Sequence, residues 1–462
     1  MNIFQAKHIH FTGIKGVGMT ALALCAQDLG KKLSGSDVEE KFVTDETLLN
    51  RKIIPQKGFS PENIKDTVDL LIYTGAHGGP NNPEVMHAVK KGISCISHAE
   101  AVGQITQGKT CISVCGVGGK TSTSAMISTI LDHDQKDPSY LVGVAKISSL
   151  ESPGKYAQKG KYFVVEADEY ATAPGVDNTP RFMHQNPKFV ICTNISHDHP
   201  DVYPTFEDTK KAYISFFSKT PDDGLLVVNS DDQESLNLSD QFNQKILVGK
   251  NEKSHFKIID IKNIDQKQHV FFIHDNQKKE LTLSIPGEFN AKNALMSYAL
   301  CTHLGLGHEV IRKGLEKFRG TNRRFEKIRD KDGITYFDDY AHHPQEIKAT
   351  LRAAKEWLSE KRLVAIFQPH TYSRTKSLLD EFATSFEESD IVIITDIFPS
   401  AREKIDPTVS SKLLADKISQ THSNTKYVSQ EDLIQYVNKI KRPGDAIFTI
   451  GAGDVYKAHQ NF

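Results

Sequence analysis

The sequence predicts an α/β protein of three domains. These are an N-terminal Rossmann-like domain, a central P-loop mononucleotide-binding sheet with an antiparallel appendage, and a C-terminal Rossmann-like domain. Three observations predict it. Short apolar strands alternate with helical stretches nearly end to end, and several are continuously apolar, as parallel strands covered on both faces are. Two glycine-rich turns, at 13–18 and 116–119, each follow a strand and open a helix. A chain of 462 residues is also longer than one core usually organises, which points to two to four domains. The polar stretches 104–109 and 318–333 divide it into 1–108, 109–321 and 322–462.

Strands are expected at 8–14, 69–76, 110–116, 162–168, 188–195, 224–230, 362–368, 390–397 and 445–452, joined by right-handed helical crossovers. After 116–119 a helix is expected, with Met126, Ile127, Ile130 and Leu131 on one face. From about 250 to 285 short alternating runs (269–275, 281–285) read as the antiparallel appendage.

The bulk composition excludes several classes. Lys and Arg number 57 against 58 Asp and Glu, so no charge excess calls for nucleic acid or an anionic membrane. No apolar run approaches the ~20 residues that span a bilayer. The opening MNIFQAKHIHFTG lacks the layout of a signal peptide, and the six cysteines form no C-x-x-C. Both suit a reducing cytoplasm, with the cysteines as small buried hydrophobes. Oligomeric state leaves no signature.

The chemistry centres on CGVGGKTSTS (115–124). Gly116, Gly118 and Gly119 let backbone N–H groups approach phosphate oxygens, and the following helix N-terminus favours anions. Lys120 can reach β- and γ-phosphates, and the Thr121 hydroxyl can ligate Mg²⁺. The loop is one residue shorter than G-x-x-x-x-G-K-[ST] counted from Gly116, with Cys115 in the first-glycine position. The earlier turn, GIKGVGMTAL (13–22), carries Gly13, Gly16 and Gly18, but Lys15 stands where G-x-G-x-x-G wants glycine. Ser36 and Asp37 follow the next strand, with Asp37 about where a ribose-binding acid belongs. A nucleotide diphosphate fits this loop; a plain structural turn is the alternative at both loops.

Acids and histidines gather after two later strands: Glu166, Asp168 and Glu169, then His197, Asp198, His199 and Asp201. Parallel strands share their C-terminal edge with the phosphate loop, so Glu166 and His199 are chosen as Mg²⁺ ligands beside a triphosphate. In the last third, 337–347 and 367–375 mix Asp, His and Arg in loops after strands. Arg374 suits a carboxylate because guanidinium bonds it bidentately. His342 and His370 are the functional candidates, and His343 before Pro344 reads as a helix cap.

In order along the chain stand GIKGVGM…SGSD, G-x-G-GKT-T, EADE, TNI-x-x-DH, PGEFNAKNA, G-x-x-RRFE, DDYAHHP and FQPH-x-Y-x-R. The chain thereby resembles the Mur ligases, ATP-dependent amino-acid ligases of peptidoglycan synthesis. The likeness is greatest to the branch that joins L-alanine to the lactyl carboxylate of UDP-N-acetylmuramate. The resemblance implies a UDP-sugar site at Gly13, Gly16 and Gly18, with Ser36, Asp37 and Asn82. It implies an ATP site at Gly116, Gly118, Gly119, Lys120, Thr121 and Ser122, with adenine at Asn293 and the nucleotide held also by Arg324 and Asp339. Two Mg²⁺ ions are implied, at Thr121 and Glu166 and at His199. His342, His370 and Arg374 would face the amino acid, and Lys120, Glu166, His199, His342 and Arg374 would carry catalysis. Lys210 aligns roughly with a lysine carbamylated in some relatives.

Four departures stand out. The usual GTHGKT has His where Gly118 stands, and the first Arg of HRYTR is Thr371. SRAE appears as SHAE at 97–100, and 166–182 is longer than expected. This length is shared with a sister branch that attaches a whole tripeptide to the same sugar nucleotide, which is the alternative reading. An NAD-dependent oxidoreductase on the first loop is a remoter one, opposed by Lys15 and by the intact Lys120–Thr121 loop. A nucleotide-gated binding protein is opposed by the three acid, His and Arg loops.

Overall fold

Each apolar run singled out above is a strand in the computed structural model, which describes residues 1–199, 202–399, 403 and 405–462. Asp201 lies outside the described residues. The chain divides into two units, Met1–Ile261 with His269–Leu283 and Lys292–Thr321, and Lys262–Gln268 with Ser284–Ala291 and Asn322–Phe462.

The first unit holds two large sheets and a small two-stranded one, Ala171–Ala173 with Asp177–Pro180. One is five-stranded and parallel, in the order Gln56–Lys57, Lys32–Asp37, His8–Thr12, Leu70–Tyr73, Ser94–Ser97. The other has at its centre Phe189–Cys192, Thr110–Cys115 and Tyr162–Glu166, paired in parallel. Leu225–Asn229 and Lys245–Gly249 extend it on one side, and Ser139–Leu141 on the other. The appendage follows as Phe256–Ile264, Lys267–His274 and Gln277–Leu283, of which Lys262–Gln268 is counted with the second unit. Its turns, Asp265–Gln266 and Asp275–Asn276, have positive φ at both residues, the signature of two-residue antiparallel hairpins. Its first strand meets Lys245–Gly249 in parallel.

One apolar core joins the two sheets. Ile9, Phe11, Leu22 and Leu24 belong to the same buried cluster as Cys111, Leu141, Phe163 and Val165. Backbones nearly touch along this seam. A Cβ on Gly154 would lie 2.1 Å from the Ala21 carbonyl oxygen, and one on Gly103 2.2 Å from that of His184. Only glycine fits at either crossing.

In the second unit the sheet order is Glu326–Lys331, Ile334–Asp339, Asp445–Ile450, Arg362–Phe367, Ile391–Ile394, Thr425–Tyr427. All neighbours are parallel except the antiparallel first pair.

Three expectations are corrected. Ser36 and Asp37 lie inside the strand Lys32–Asp37, not after it. The stretch 318–333 is not simply a linker, because Glu326–Lys331 is an edge strand of the C-terminal sheet. The helix Lys120–His133 is buried from Thr121 to Leu131 on all sides, because Ile130 also packs against Gly314. The cysteines are all free and, Cys95 apart, buried.

Glu84 is the polar anchor of the first sheet. It is fully buried and accepts from Thr12 Oγ1 at 2.7 Å, Ser36 Oγ at 2.6 Å and Asn63 Nδ2 at 2.7 Å, with His10 Nε2 at 3.3 Å. Despite burial, these bonds hold its carboxyl below the usual range. Glu84→Ala would strand several buried donors, so a loss of about 3 kcal/mol or more is expected in urea unfolding. Its stabilising effect is complete above the ordinary glutamate pKa and is lost as pH falls through the lower folded-state value.

Candidate functional site

The strand Thr110–Cys115 lies between the two strands that carry the acids, so three C-terminal ends converge on one loop. Gly116 has φ +124°, and a Cβ there would lie 2.1 Å from Thr193 Oγ1. Thr193 Oγ1 donates to the carbonyls of Gly118 at 2.5 Å and Cys115 at 3.1 Å. Asn194 Oδ1 accepts from Gly118 N at 3.0 Å. Thus TN of TNISHDH shapes the loop, a role the sequence reading missed by attending to the histidines and acids. The signal was available: these residues end the strand that neighbours the loop's own.

Gly119, at φ +89°, caps the helix, and a Cβ there would approach Asn293 Oδ1 to 2.8 Å. Asn293 therefore sits against the loop, mostly buried. Gly118 has no positive φ, so the backbone does not demand glycine at this departure. Ser122 is buried in the first helical turn.

Lys120 Nζ donates to Gly116 O at 2.7 Å and lies 3.0 and 3.3 Å from the Glu169 carboxylate oxygens. Burial would lower its pKa, but Glu169, Asp168 and Glu166 outweigh it and raise the value. Thr121 Oγ1 donates to Glu166 Oε2 at 2.9 Å, and Gly143 N to Glu166 Oε1 at 2.6 Å. Burial, with Asp168 nearby, raises the Glu166 pKa. A carboxylate and a hydroxyl oxygen 2.9 Å apart beside the phosphate loop are hard oxygen donors of the kind Mg²⁺ takes.

A second donor set forms where His199, at φ +57°, meets Glu169 and Asp198. His199 Nε2 is 3.6 Å from both Glu169 Oε1 and Asp198 Oδ2, and one ligand atom from each residue lies within 4.8 Å of the others. Despite burial, Lys120 and His199 lower the Glu169 pKa. Glu169 completes this candidate donor set, and the sequence choice of Glu166 and His199 passed it over. His197 instead bonds the Tyr203 carbonyl, and Lys210 pairs with Glu234 at 2.8 Å. That pairing raises the Lys210 pKa, whereas carbamate formation needs a neutral amine.

At the first loop, Lys15 is structural: Nζ donates to the carbonyls of Val38 and Glu40, both at 2.9 Å, and its N–H bonds Asp37 Oδ2 at 2.7 Å. Gly13 has φ +83°, and Gly16 is the N-cap of the helix Val17–Asp28. Burial raises the Asp37 pKa. Ser36 and Asn82 spend their side chains on Glu84 and on the cap of Pro83–Lys90. His98, the altered residue of SHAE, packs against Gly18. Its Nδ1 lies 2.6 Å from the guanidinium of Arg181, which also donates to Tyr170 OH at 2.7 Å. A guanidinium thus returns to that corner from the lengthened 166–182 segment, which forms the small hairpin Ala171–Ala173 and Asp177–Pro180.

In the second unit, loops after two sheet strands bring histidines together. The rings of His342 and His370 are 6.1 Å apart, and Arg374 NH1 is 3.4 Å from His370 Nδ1. His343 caps Pro344–Trp357, as expected. Thr371, at φ +69°, caps the short helix that carries Arg374 by accepting from its N–H at 3.3 Å. Asp339 accepts from the N–H groups of Phe325 and Ala341, and burial raises its pKa to about 6 against the pull of Arg324. Arg324 lies over the Tyr340 ring at 5.1 Å. Arg323 is pinned by Asp338 at 2.8 Å and by the carbonyls of Gly451 and Gly453.

Comparison with known proteins matches residues 8–110 to the Mur ligase family catalytic domain, 114–301 to the Mur ligase middle domain and 323–453 to the Mur ligase glutamate ligase domain. The chain is 38% identical over 459 residues to UDP-N-acetylmuramate–L-alanine ligase of Desulfitobacterium hafniense, covering 98% of this chain and 99% of the relative. It is 39% identical over 464 residues to the Acetivibrio thermocellus enzyme of the same name, covering 99% and 95%. Among solved structures, UDP-N-acetylmuramate–alanine ligase of Thermotoga maritima superposes with a TM-score of 0.82 at 27% identity, over 99% and 98% of the two chains. A murein peptide ligase of Psychrobacter arcticus shares the fold, with a TM-score of 0.71 at 23% identity, over 98% and 97%.

Proposed function

The chain belongs to the Mur ligase family, and from this premise we propose how its residues carry the reaction. It is an ATP-dependent acid–amino-acid ligase that joins L-alanine to the lactyl carboxylate of UDP-N-acetylmuramate in peptidoglycan precursor synthesis. The relatives of that name, matched at nearly full length, support this over the tripeptide branch. The observation that carries the residue-level reading is the convergence of Lys120, Thr121, Glu166, Glu169 and His199 on one loop.

The lactyl carboxylate attacks the γ-phosphorus of ATP, giving an acyl phosphate and ADP. The alanine amine then displaces phosphate through a tetrahedral intermediate. Two anions meet in the first step, and the Lys120 ammonium offsets their repulsion while the loop N–H groups hold the phosphates. Thr121 with Glu166, and the His199 set, would hold Mg²⁺, which would supply further charge neutralisation and orientation. Asn293, beside the last glycine of the loop, contacts the adenine, and Arg324 and Asp339 contact the nucleotide. The three domains are 1–108 for the UDP-sugar, 109–321 for ATP and 322–462 for the amino acid. Gly13, Gly16 and Gly18 receive the diphosphate of the UDP-sugar; Asp37 contacts its nucleoside, and Ser36 and Asn82 act by holding that corner through Glu84 and the helix cap. His342, His370 and Arg374 receive the amino acid. The enzyme is assigned to the cytoplasm. No helix among the described residues is long and apolar enough to cross a membrane.

The test is phosphate release with UDP-N-acetylmuramate against L-alanine, glycine, L-serine and tripeptide. L-Alanine is expected to give the highest kcat/KM; a preference for tripeptide would transfer the chain to the recycling branch. Arg374→Ala should raise the KM for L-alanine at least tenfold, about 1.4 kcal/mol, and leave that for ATP within about twofold. Equal changes in both would remove Arg374 from carboxylate recognition.

A further inference from the structure

Glu169 faces two ways. On one side its two oxygens lie 3.0 and 3.3 Å from Lys120 Nζ. On the other, Oε1 lies 3.6 Å from His199 Nε2, within the set formed with Asp198. The side chain is almost fully buried, and its backbone carbonyl is fixed by the Tyr203 hydroxyl at 2.5 Å. Water therefore cannot readily replace either partner. Lys120 has three N–H donors, and the contacts to Gly116 O and Glu169 occupy two of them. A divalent cation on Glu169, Asp198 and His199 would draw on the same oxygens that hold Lys120.

We propose that Glu169 is a positioning residue that couples the two halves of the phosphate site: a cation taken up by Glu169, Asp198 and His199 loosens Lys120 from the carboxylate and frees its ammonium for the nucleotide phosphates. This rests on the reading of the Lys120 loop as the ATP site. By linkage the coupling is reciprocal, so engagement of Lys120 by phosphate tightens cation binding by the same factor. His199 helps by its fixed pose. Its N–H bonds the Asp198 carboxylate at 2.8 Å, and its ring lies beside Tyr170 at 5.5 Å.

The experiment measures binding, not turnover. Mn²⁺ alone is titrated onto the protein by electron paramagnetic resonance, and ATP is titrated in EDTA by calorimetry, for wild type, Glu169→Gln and Asp198→Asn. Both variants should weaken Mn²⁺ at least tenfold. Only Glu169→Gln should tighten metal-free ATP, by about fivefold or more, because only it releases Lys120. Equal tightening in both variants would reduce the effect to general charge removal and overturn the coupling, as would loss of ATP binding in Glu169→Gln. A wild-type measurement covers the case in which Glu169→Gln does not fold. Acetylation of Lys120 by acetic anhydride, read by mass spectrometry, should rise at least threefold on adding Mg²⁺, and an unchanged yield overturns the proposal. Failure of the wild type to bind Mg²⁺ with ATP at all would instead sink the underlying reading of the loop.

Discussion

Replacing Lys120 with alanine is expected to reduce phosphate release at least about 10³-fold, roughly 4 kcal/mol of transition-state stabilisation. The ammonium contacts the loop itself, 2.7 Å from Gly116 O. Its removal leaves phosphoryl transfer without the charge that offsets the meeting of two anions. The same change leaves Glu169 buried without its closest partner, so part of any loss could be structural. The double variant Lys120→Ala/Glu169→Gln separates the two contributions. It should recover most of the melting temperature lost by the single variant and none of the turnover. Turnover within tenfold of wild type in either variant would remove Lys120 from the mechanism.

Gly116→Ala should be nearly as damaging by a different route. At φ +124° the position favours glycine, and the new methyl would lie 2.1 Å from Thr193 Oγ1 and 2.9 Å from Asn194 O. Thr193 cannot yield cheaply, because its hydroxyl ties together the carbonyls that open and close the loop. Backbone strain and overpacking together are expected to cost about 2–5 kcal/mol, read in urea unfolding. ATP affinity should fall by about 10²-fold or more as the loop opens. Gly118→Ala, at a position with no positive φ, is the matched control and should fall less than tenfold in affinity. Equal losses at both positions would argue against a shape requirement at Gly116.

Most of the fold was legible because its central strands are continuously apolar and sit between helices. The strand Glu326–Lys331 escaped because it lies on a sheet edge with alternating charges and no apolar face. Lys32–Asp37 escaped as a strand for its last residues, since SGSD reads as a turn until neighbours on both sides supply the ladder. At the site, Lys120, Thr121, Glu166 and His199 were visible as residue types at strand ends. The choice between Glu166 and Glu169 as partner of His199 was not visible, because residues three apart after a strand diverge in ways that only the loop path decides. The pairing of His98 with Arg181 was equally hidden, being a contact between segments 83 residues apart.

The bare-backbone crossings at Gly154 and Gly103 bear on protein engineering. A chimera that grafts the first 108 residues of a homologue onto this chain would have to carry matching glycines and opposing carbonyls together, or the interlobe seam would not close. Swaps designed at the apolar-poor turn near 106–109 alone would ignore that lock. Recombination of these lobes is therefore expected to succeed only between parents that share both contacts, which makes the pair a simple filter for shuffling libraries.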